Sequence, residues 1–446
     1  MAKAKKKEST LTLEEKLAQA LVPESEQPYK VPKNWCWVRL GNLISTSKEK
    51  TEEFSDDTLR YVGLEHIEKD NGIIGYSSAK EIKSLKNVFR VGQLLYGKLR
   101  PYLNKHDISF FDGVCSTDIL VFDALETTIP QYVDYYFNQQ YFIEYAVSNS
   151  KGINLPRVSE SVILEAVCPL PPLSEQQRIV ERVESLFSKL DEAKEKLQQV
   201  LDGFETRKAA ILHKAFTGEL TAKWREENGV SLESWEKRSL NSVCHSIFDG
   251  DHMPPPKSES GVPFLVISNV NTGHLSFNDI RYVPEEYYNN LSETRRPRLG
   301  DVLCTIVGTF GIPVIVDSDR KFCFQRHMAL LKPRDITTKF LWYLLQWNTM
   351  YSKLADIATG TAQLTVPIKG LRAIEFLQPT LQEQMEIVEI IDDILSKSVK
   401  IKNVVVQSLK NIDSIKKAIL ACAFRGELGT NDENDECAVE LLKKVL

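Results

Sequence analysis

Lys98, Arg100, Asn104 and Lys105 close a stretch, Lys80 to Lys105, that holds seven cations against the single anion Glu81. A local excess of this kind is a footprint for phosphate, even in a chain whose formal net charge is −5. A second basic run, Arg295, Arg296 and Arg298, lies in the other half of the chain, with Thr309, Gln325, Arg326 and His327 downstream. Arg157 and Ser159 stand beside Gly152-Ile153-Asn154-Leu155-Pro156. Arginine and lysine pair with guanine, and glutamine and asparagine with adenine, so these types suit hydrogen bonding to nucleic acid. Most such groups would touch phosphate, which positions a protein without specifying sequence. The plainer reading of each run is a solvated face.

Bond-breaking chemistry has no comparable signal. Gly308-Thr309-Phe310-Gly311 reads as a tight turn and lacks the spacing of a phosphate-cradling GxxxxGK[ST] loop. No strand–GxGxxG unit points to a dinucleotide or methyl donor. Pro254-Pro255-Pro256 lacks the asparagine and aromatic of an amino-methyltransferase motif. Asp249-Gly250-Asp251-His252 is the most nuclease-like cluster, yet no lysine follows two residues after an acid. The eight cysteines are scattered without CxxC or zinc spacing, so they read as reduced thiols with no metal site.

The elements that must hold the basic residues are announced by a repeat. Pro171-Pro172-Leu173-Ser174-Glu175-Gln176 to Ala215-Phe216-Thr217-Gly218-Glu219-Leu220 returns as Pro379-Thr380-Leu381-Gln382-Glu383-Gln384 to Ala423-Phe424-Arg425-Gly426-Glu427-Leu428. The offset is 208 at both ends. Each copy predicts one long helix. Ser174 is the expected N-cap, with Gln177 at the capping-box spacing, and Gly218 and Gly426 are the expected stops. Val180, Val183, Phe187, Leu190, Leu197, Leu201, Phe204, Ile211 and Ala215 form a heptad seam in the first copy. Val388, Ile391, Leu395, Val405, Leu409, Ile412, Ile419 and Ala423 form one in the second. Lys194 with Lys402, and Lys208 with Lys416, interrupt both seams at matching places. Matched seams in one chain predict an antiparallel coiled coil, with one globular body at each end.

The globular stretches echo each other as well. Trp35 and Leu40 match Trp235 and Leu240 at offset 200, while Leu94, Cys115 and Gly152 match Val302, Cys323 and Gly360 at offset 208. Gln93–Gly97, Ile119–Phe122, Val302–Ile306 and Val314–Val316 predict short buried strands. Tyr132–Val147 and Lys339–Ala355 predict aromatic-rich helices. The expected class is α+β: two α/β-type domains, at 23–170 and 221–378, alternating with long helices at 171–220 and 379–428. A lead with a short helix (1–22) precedes them, and an acidic tail with a short helix (429–446) follows. Met1–Ser9 reads as a disordered lysine-rich lead, Leu11–Val22 as a helix, and Pro23, Pro28 and Pro32 as an extended linker. With 446 residues, 42% hydrophobic and 26% charged, the composition is that of a soluble globular protein. No stretch resembles a signal peptide or a membrane span, so the expected location is cytoplasmic.

Two diverged globular domains alternating with two long helices, bounded by Pro-Leu-Pro-Pro-Leu-Ser-Glu-Gln-Gln-Arg-Ile-Val and Ala-Phe-x-Gly-Glu-Leu, resemble the DNA-specificity (S) subunits of type I restriction–modification enzymes. Ala20-Leu21-Val22-Pro23 with Gln27-Pro28-Tyr29, and the acidic tail, belong to the same resemblance. The second copy departs from it at Thr380 and at Met385-Glu386. The resemblance implies target-recognition domains that each read half of a split double-stranded DNA sequence, with a fixed spacer set by the helices. It implies two modification subunits that methylate adenine, restriction subunits that translocate and cleave, and a specificity chain that is not itself an enzyme. S-adenosylmethionine, ATP and Mg would then belong to partner subunits, with no cofactor on this chain. Lys98, Arg100, Asn104, Lys105, Arg157, Ser159, Arg295, Arg296, Arg298, Thr309, Gln325, Arg326 and His327 are the candidate DNA contacts. The competing readings are a methyltransferase-only system, a coiled-coil scaffold with two binding heads, and a self-contained nuclease.

Overall fold

A computed structural model describes residues 12–53, 58–69, 71–80, 82–251, 255–361 and 363–446. The predicted lead, Met1–Ser9, lies outside them. The chain divides into two compact units, Met1–Lys196 with Gln407–Leu446, and Leu197–Val406.

The repeated motif becomes two helices of 44 residues, Leu173–Phe216 and Leu381–Phe424, each roughly 66 Å long at 1.5 Å per residue. They pair antiparallel. In the first unit Ile179, Val180 and Val183 share a core with Leu420, Ala423 and Phe424. In the second, Leu212, Ala215 and Phe216 share one with Ile387 and Ile391. Gly218 and Gly426 end the helices in the left-handed region, at φ 84° and 72°.

Two expectations about this region need correcting. Ser174 lies inside the first helical turn, which begins at Leu173, so it is not the N-cap. The second helix does have a hydroxyl cap, Thr380, whose Oγ1 accepts from the Glu383 N–H at 3.3 Å; the first copy has Pro172 there, which cannot cap. Lys194 and Lys402 do not interrupt a buried seam, because both are exposed. Only Lys416 is held, paired with Asp191 at 2.6 Å and lying over the Phe187 ring.

The Glu-Gln pair that opens each helix is a clamp. Glu175, Gln176, Glu383 and Gln384 are all fully buried. Gln176 accepts from the Ile129 N–H and donates to the Thr127 and Pro171 carbonyls. Gln384 does the same with Thr337 and Pro379. Each glutamate grips the segment just past the end of the other helix. Glu383 accepts from Thr221 Oγ1, Arg225 Nη1 and Trp235 Nε1 at 2.7, 2.6 and 2.9 Å. Glu175 accepts from Thr430 Oγ1 and Arg178 at 2.8 and 2.7 Å. The buried glutamate is thus the end that fastens each turn to its helix.

The globular parts share three sheets. A two-stranded ladder, Cys36–Arg39 with Val167–Leu170, is repeated as Glu236–Ser239 with Glu375–Gln378. An antiparallel sheet of four strands runs His106–Ile108, Leu94–Gly97, Ile119–Ala124, Ile44–Thr46; its counterpart runs Pro313–Ile315, Val302–Thr305, Met328–Pro333, Cys244–Asp249. A parallel pair, Arg60–Val62 with Gly113–Cys115, is repeated as Val262–Leu265 with Cys323–Phe324. Strand Leu94–Gly97 is buried on both faces: Leu94 and Tyr96 enter one core, Leu95 another. Val302 and Cys304, against Leu303, do the same in the second unit. That period of two explains why these runs read as continuous apolar strands.

Each predicted aromatic helix is in fact two. Pro130–Phe137 and Gln140–Ser148 are separated at Gln139, and Thr338–Gln346 and Asn348–Ile357 at Trp347, both extended at ψ 131° and 132°. The break turns the second helix so that Phe142 packs against Phe137 and Tyr136, at 5.0 and 5.2 Å between centroids.

The proline-rich segment is not a free linker. Tyr29 meets Trp37 edge-on at 4.9 Å and its hydroxyl donates to the Phe424 carbonyl at 3.2 Å. The first short helix is Leu13–Ala20, with a Thr12–Glu15 capping box; the last is Ala438–Lys443, whose Ala438 and Leu442 enter the same core as Ala20. Among the described residues no helix is long and apolar enough to cross a membrane, and no cluster of side chains suits a metal. The cysteines are unpaired, and burial pushes thiols such as Cys115 and Cys304 up to about 12.

Candidate nucleic-acid interface

Beyond Gly97 the first unit builds a platform from two loops. The chain from Lys98 to Lys105 joins two strands of the four-stranded sheet. The Lys98 N–H donates to the Asp118 carbonyl at 2.8 Å, and the Val158 N–H donates to the Lys98 carbonyl at 3.1 Å. The Arg100 N–H donates to the Pro156 carbonyl at 2.7 Å, docking this loop on the second one. That second loop is closed by reciprocal bonds between Lys151 and Arg157, at 2.9 and 2.8 Å. Gly152, at φ 105°, makes the turn possible. Arg157 pairs with Asp118 at 3.3 Å, while Ile153, Leu155 and Tyr102 stand out into solvent.

The second unit repeats this backbone bond for bond. The Ile306 N–H donates to the His327 carbonyl at 2.9 Å, and the Val366 N–H donates to the Ile306 carbonyl at 2.8 Å. The Gly308 N–H donates to the Leu364 carbonyl at 2.9 Å, and Thr359 and Thr365 close the loop reciprocally at 2.9 and 2.8 Å. Gly360, at φ 114°, occupies the place of Gly152. The side chains are different. Gly308 replaces Arg100, His327 replaces Asp118, Thr365 replaces Arg157 and Gln363 replaces Leu155.

Arg326 and His327 lie between two clefts of the second unit, of about 390 and about 360 Å³. Gln325, Lys257 and Arg281 line the first; Gln363 and Thr365 line the second. Burial lowers the His327 pKa, and the Arg326 charge lowers it further, so its ring is neutral at neutral pH and has one donor and one acceptor. Gly250 sets the position of this row. A Cβ there would lie 2.3 Å from the Phe324 carbonyl oxygen and 2.8 Å from the Arg326 nitrogen. Gly250→Ala must therefore push backbone, and we expect a loss of about 1–3 kcal/mol from overpacking. Urea denaturation of the variant checks this.

The candidate residues separate into two groups. Lys98, Arg100 and Arg157 share the first platform, and Thr309, Gln325, Arg326 and His327 the second. The others are engaged within the fold. Asn104 is 2% exposed, and its amide nitrogen lies 3.0 Å from Asn138 Oδ1 and 3.1 Å from His106 Nε2. Lys105 donates to the Leu64 carbonyl at 2.6 Å. Ser159 caps the helix Glu160–Glu165 through the Val162 N–H. Arg296 and Arg298 both hold Glu293, at 2.6 and 3.1 Å, and Arg296 lies over the Tyr288 ring. Arg295 faces Asp249 and Asp251, at 3.7 and 4.0 Å, so the acids of the nuclease-like cluster meet a guanidinium. His252 of that cluster lies outside the described residues.

Asp118, Lys151 and Gln363 belong to the platforms but were not singled out from sequence. The signal for them was available: each sits one to three positions from a residue matched across the repeat, Cys115, Gly152 or Gly360.

Behind the first platform His106 lies buried, 2.7 Å from Asp134. Burial alone would lower its pKa, but the Asp134 carboxylate and hydrogen bonds to Asp134 and Asn138 outweigh burial and raise it. The contribution of the charged ring is fully present below about pH 6.5, the unfolded value, and is lost as pH rises through the raised folded value. Thermal melting at about pH 6 and about pH 8.5 should show that loss in the wild type and much less of it in His106→Gln.

The family model for the type I restriction modification DNA specificity domain matches this chain twice, over residues 32–202 and 232–411. The chain belongs to that family. Among its relatives, the type I restriction enzyme EcoDI specificity subunit of Escherichia coli is 33% identical over 201 residues, covering 44% of this chain and 45% of its own. The EcoBI specificity subunit of the same species is 27% identical over 296 residues, covering 63% and 62%. The matched stretches thus span about half to three fifths of those relatives. The crystal structure of the HsdS subunit from Thermoanaerobacter tengcongensis shares the fold, with TM-score 0.66 and 24% identity over 90% of this chain and 100% of its own. Both family matches contain a strand-to-loop junction of the kind described above, at Lys98 and at Ile306. This specificity-family chain therefore carries its platform in each repeat.

Proposed function

We propose that this chain is the sequence-reading subunit of a type I restriction–modification complex, each platform reading one half of a split DNA target. The observation that carries the reading is the duplicated platform: its backbone hydrogen bonds are the same in both units, while the side chains presented on it differ. A scaffold with two equivalent heads has no use for that divergence, whereas a reader of two unlike half-sites requires it. The chain is non-catalytic in this reading. Two modification subunits methylate adenine with S-adenosylmethionine, and restriction subunits bring ATP- and Mg-dependent cleavage. The complex works in the cytoplasm.

The antiparallel helices set the number of unread base pairs between the half-sites, because a helical pair resists bending and stretching more than a linker does. Half-buried Lys98, exposed Arg326 and other surface cations supply phosphate contacts, so binding should weaken steeply with salt. With six to ten phosphates neutralised, affinity falls roughly 10³–10⁵-fold between 50 and 200 mM salt. Titration of labelled duplex with the chain co-purified with its modification subunits tests this. Binding that is absent, or indifferent to salt, contradicts the reading.

A further inference from the structure

Arg100 occupies a backbone conformation that its repeat partner gives to glycine. It sits at φ 52°, ψ 66°, and the matching Gly308 at φ 73°. Both donate the equivalent backbone hydrogen bond, to Pro156 and to Leu364. Glycine takes up this left-handed geometry without steric cost, whereas an arginine there is strained, and such strain is tolerated where the side chain is needed.

We infer that Arg100 reads a guanine base in the half-site taken by the first unit. This rests on the DNA-reading assignment above and names the chemistry of one of its contacts. The guanidinium is exposed and has no hydrogen-bond or ion-pair partner among the described residues. Arg157 and Arg90 differ, being held by Asp118 and Glu49. The loop that carries Arg100 is stiff. A 3-10 turn, Pro101–Leu103, follows it, then Asn104, also left-handed at φ 42°, with its side chain locked in the buried His106 and Asn138 network.

A phosphate needs only a nearby positive charge, which a flexible lysine such as Lys98 supplies. A strained, rigidly mounted, planar fork suits a directional partner, and guanine O6 and N7 in the major groove offer one.

Arg100→Gly tests this with the fold protected, because glycine is the residue the repeat uses. The full chain, wild type or variant, is expressed with its modification subunits, and methylated adenines are mapped across a genome. The wild type should yield a split motif. Arg100→Gly should assemble and melt no lower than wild type, and should lose the demand for one G·C pair in one half-sequence, with the other half unchanged. Methylation at the original motif should fall roughly 10–100-fold. Arg100→Lys, which keeps the charge and the backbone of the wild type but not the fork, should relax the same position.

An unchanged motif with either variant assembled overturns the inference, and so does a uniform loss with no change of motif, which is the mark of a phosphate contact. A wild type without any split motif would instead defeat the DNA-reading assignment.

Discussion

Glu383→Ala should destabilise the protein by about 3–5 kcal/mol, the range for breaking a buried ion pair from one side. Glu383 is fully buried and Arg225 has only 9% of its side chain exposed. Removing the carboxylate leaves the guanidinium without its counter-charge and strips the Trp235 and Thr221 donors of their acceptor. None of these groups can turn to water without opening the segment past Gly218. Urea denaturation should show the loss. Glu175→Ala should cost less, because Arg178 is 36% exposed and also pairs with Asp435. Replacing Arg225 and Glu383 together by methionine and leucine should recover only part of the stability: no buried charge is left over, but the Trp235 and Thr221 donors still lack their acceptor.

Phe424→Ala should cost about 3–5 kcal/mol, toward the upper end for a deleted core ring. The Phe424 ring lies 4.9 Å from Tyr132 and 5.8 Å from Tyr136 by centroids. Both tyrosines are tethered by their hydroxyls, to the Pro169 and Val167 carbonyls at 2.8 and 2.6 Å. They cannot swing in to fill the gap, so the cavity stays. Phe216, its repeat partner, packs on Phe340 and Trp347 at 5.3 and 5.5 Å, and the same deletion there should act on the second unit. Denaturation curves of the two variants, set against wild type, measure both.

Much of this architecture was legible because the repeat is written in residues that do the holding. The constant offset, the Glu-Gln pairs and the terminal glycines sit where backbone geometry and burial leave few choices. The strands from Leu94 and Val302 were visible because both faces are buried. The break at Gln139 and Trp347 was hidden because neither residue is a helix breaker; tertiary packing of Phe142 and Met350 decides it. Asn104 resembled a contact residue for a similar reason. Its partner Asn138 is 34 positions away, and sequence alone does not bring them together. Ser159, Arg296 and Arg298 are the same case: polar side chains that the fold uses locally. Arg100 was visible as a cation but not as a strained one, although Gly308 at the matching position held the clue.

The most direct test is a genome-wide map of methylated adenine in a host that carries the modification subunits, with and without this chain. With it, one motif should be methylated, made of two specified sequences separated by a gap of constant length. Without it, that motif should be bare. A continuous motif, a gap of variable length, or the same map in both hosts would contradict the account.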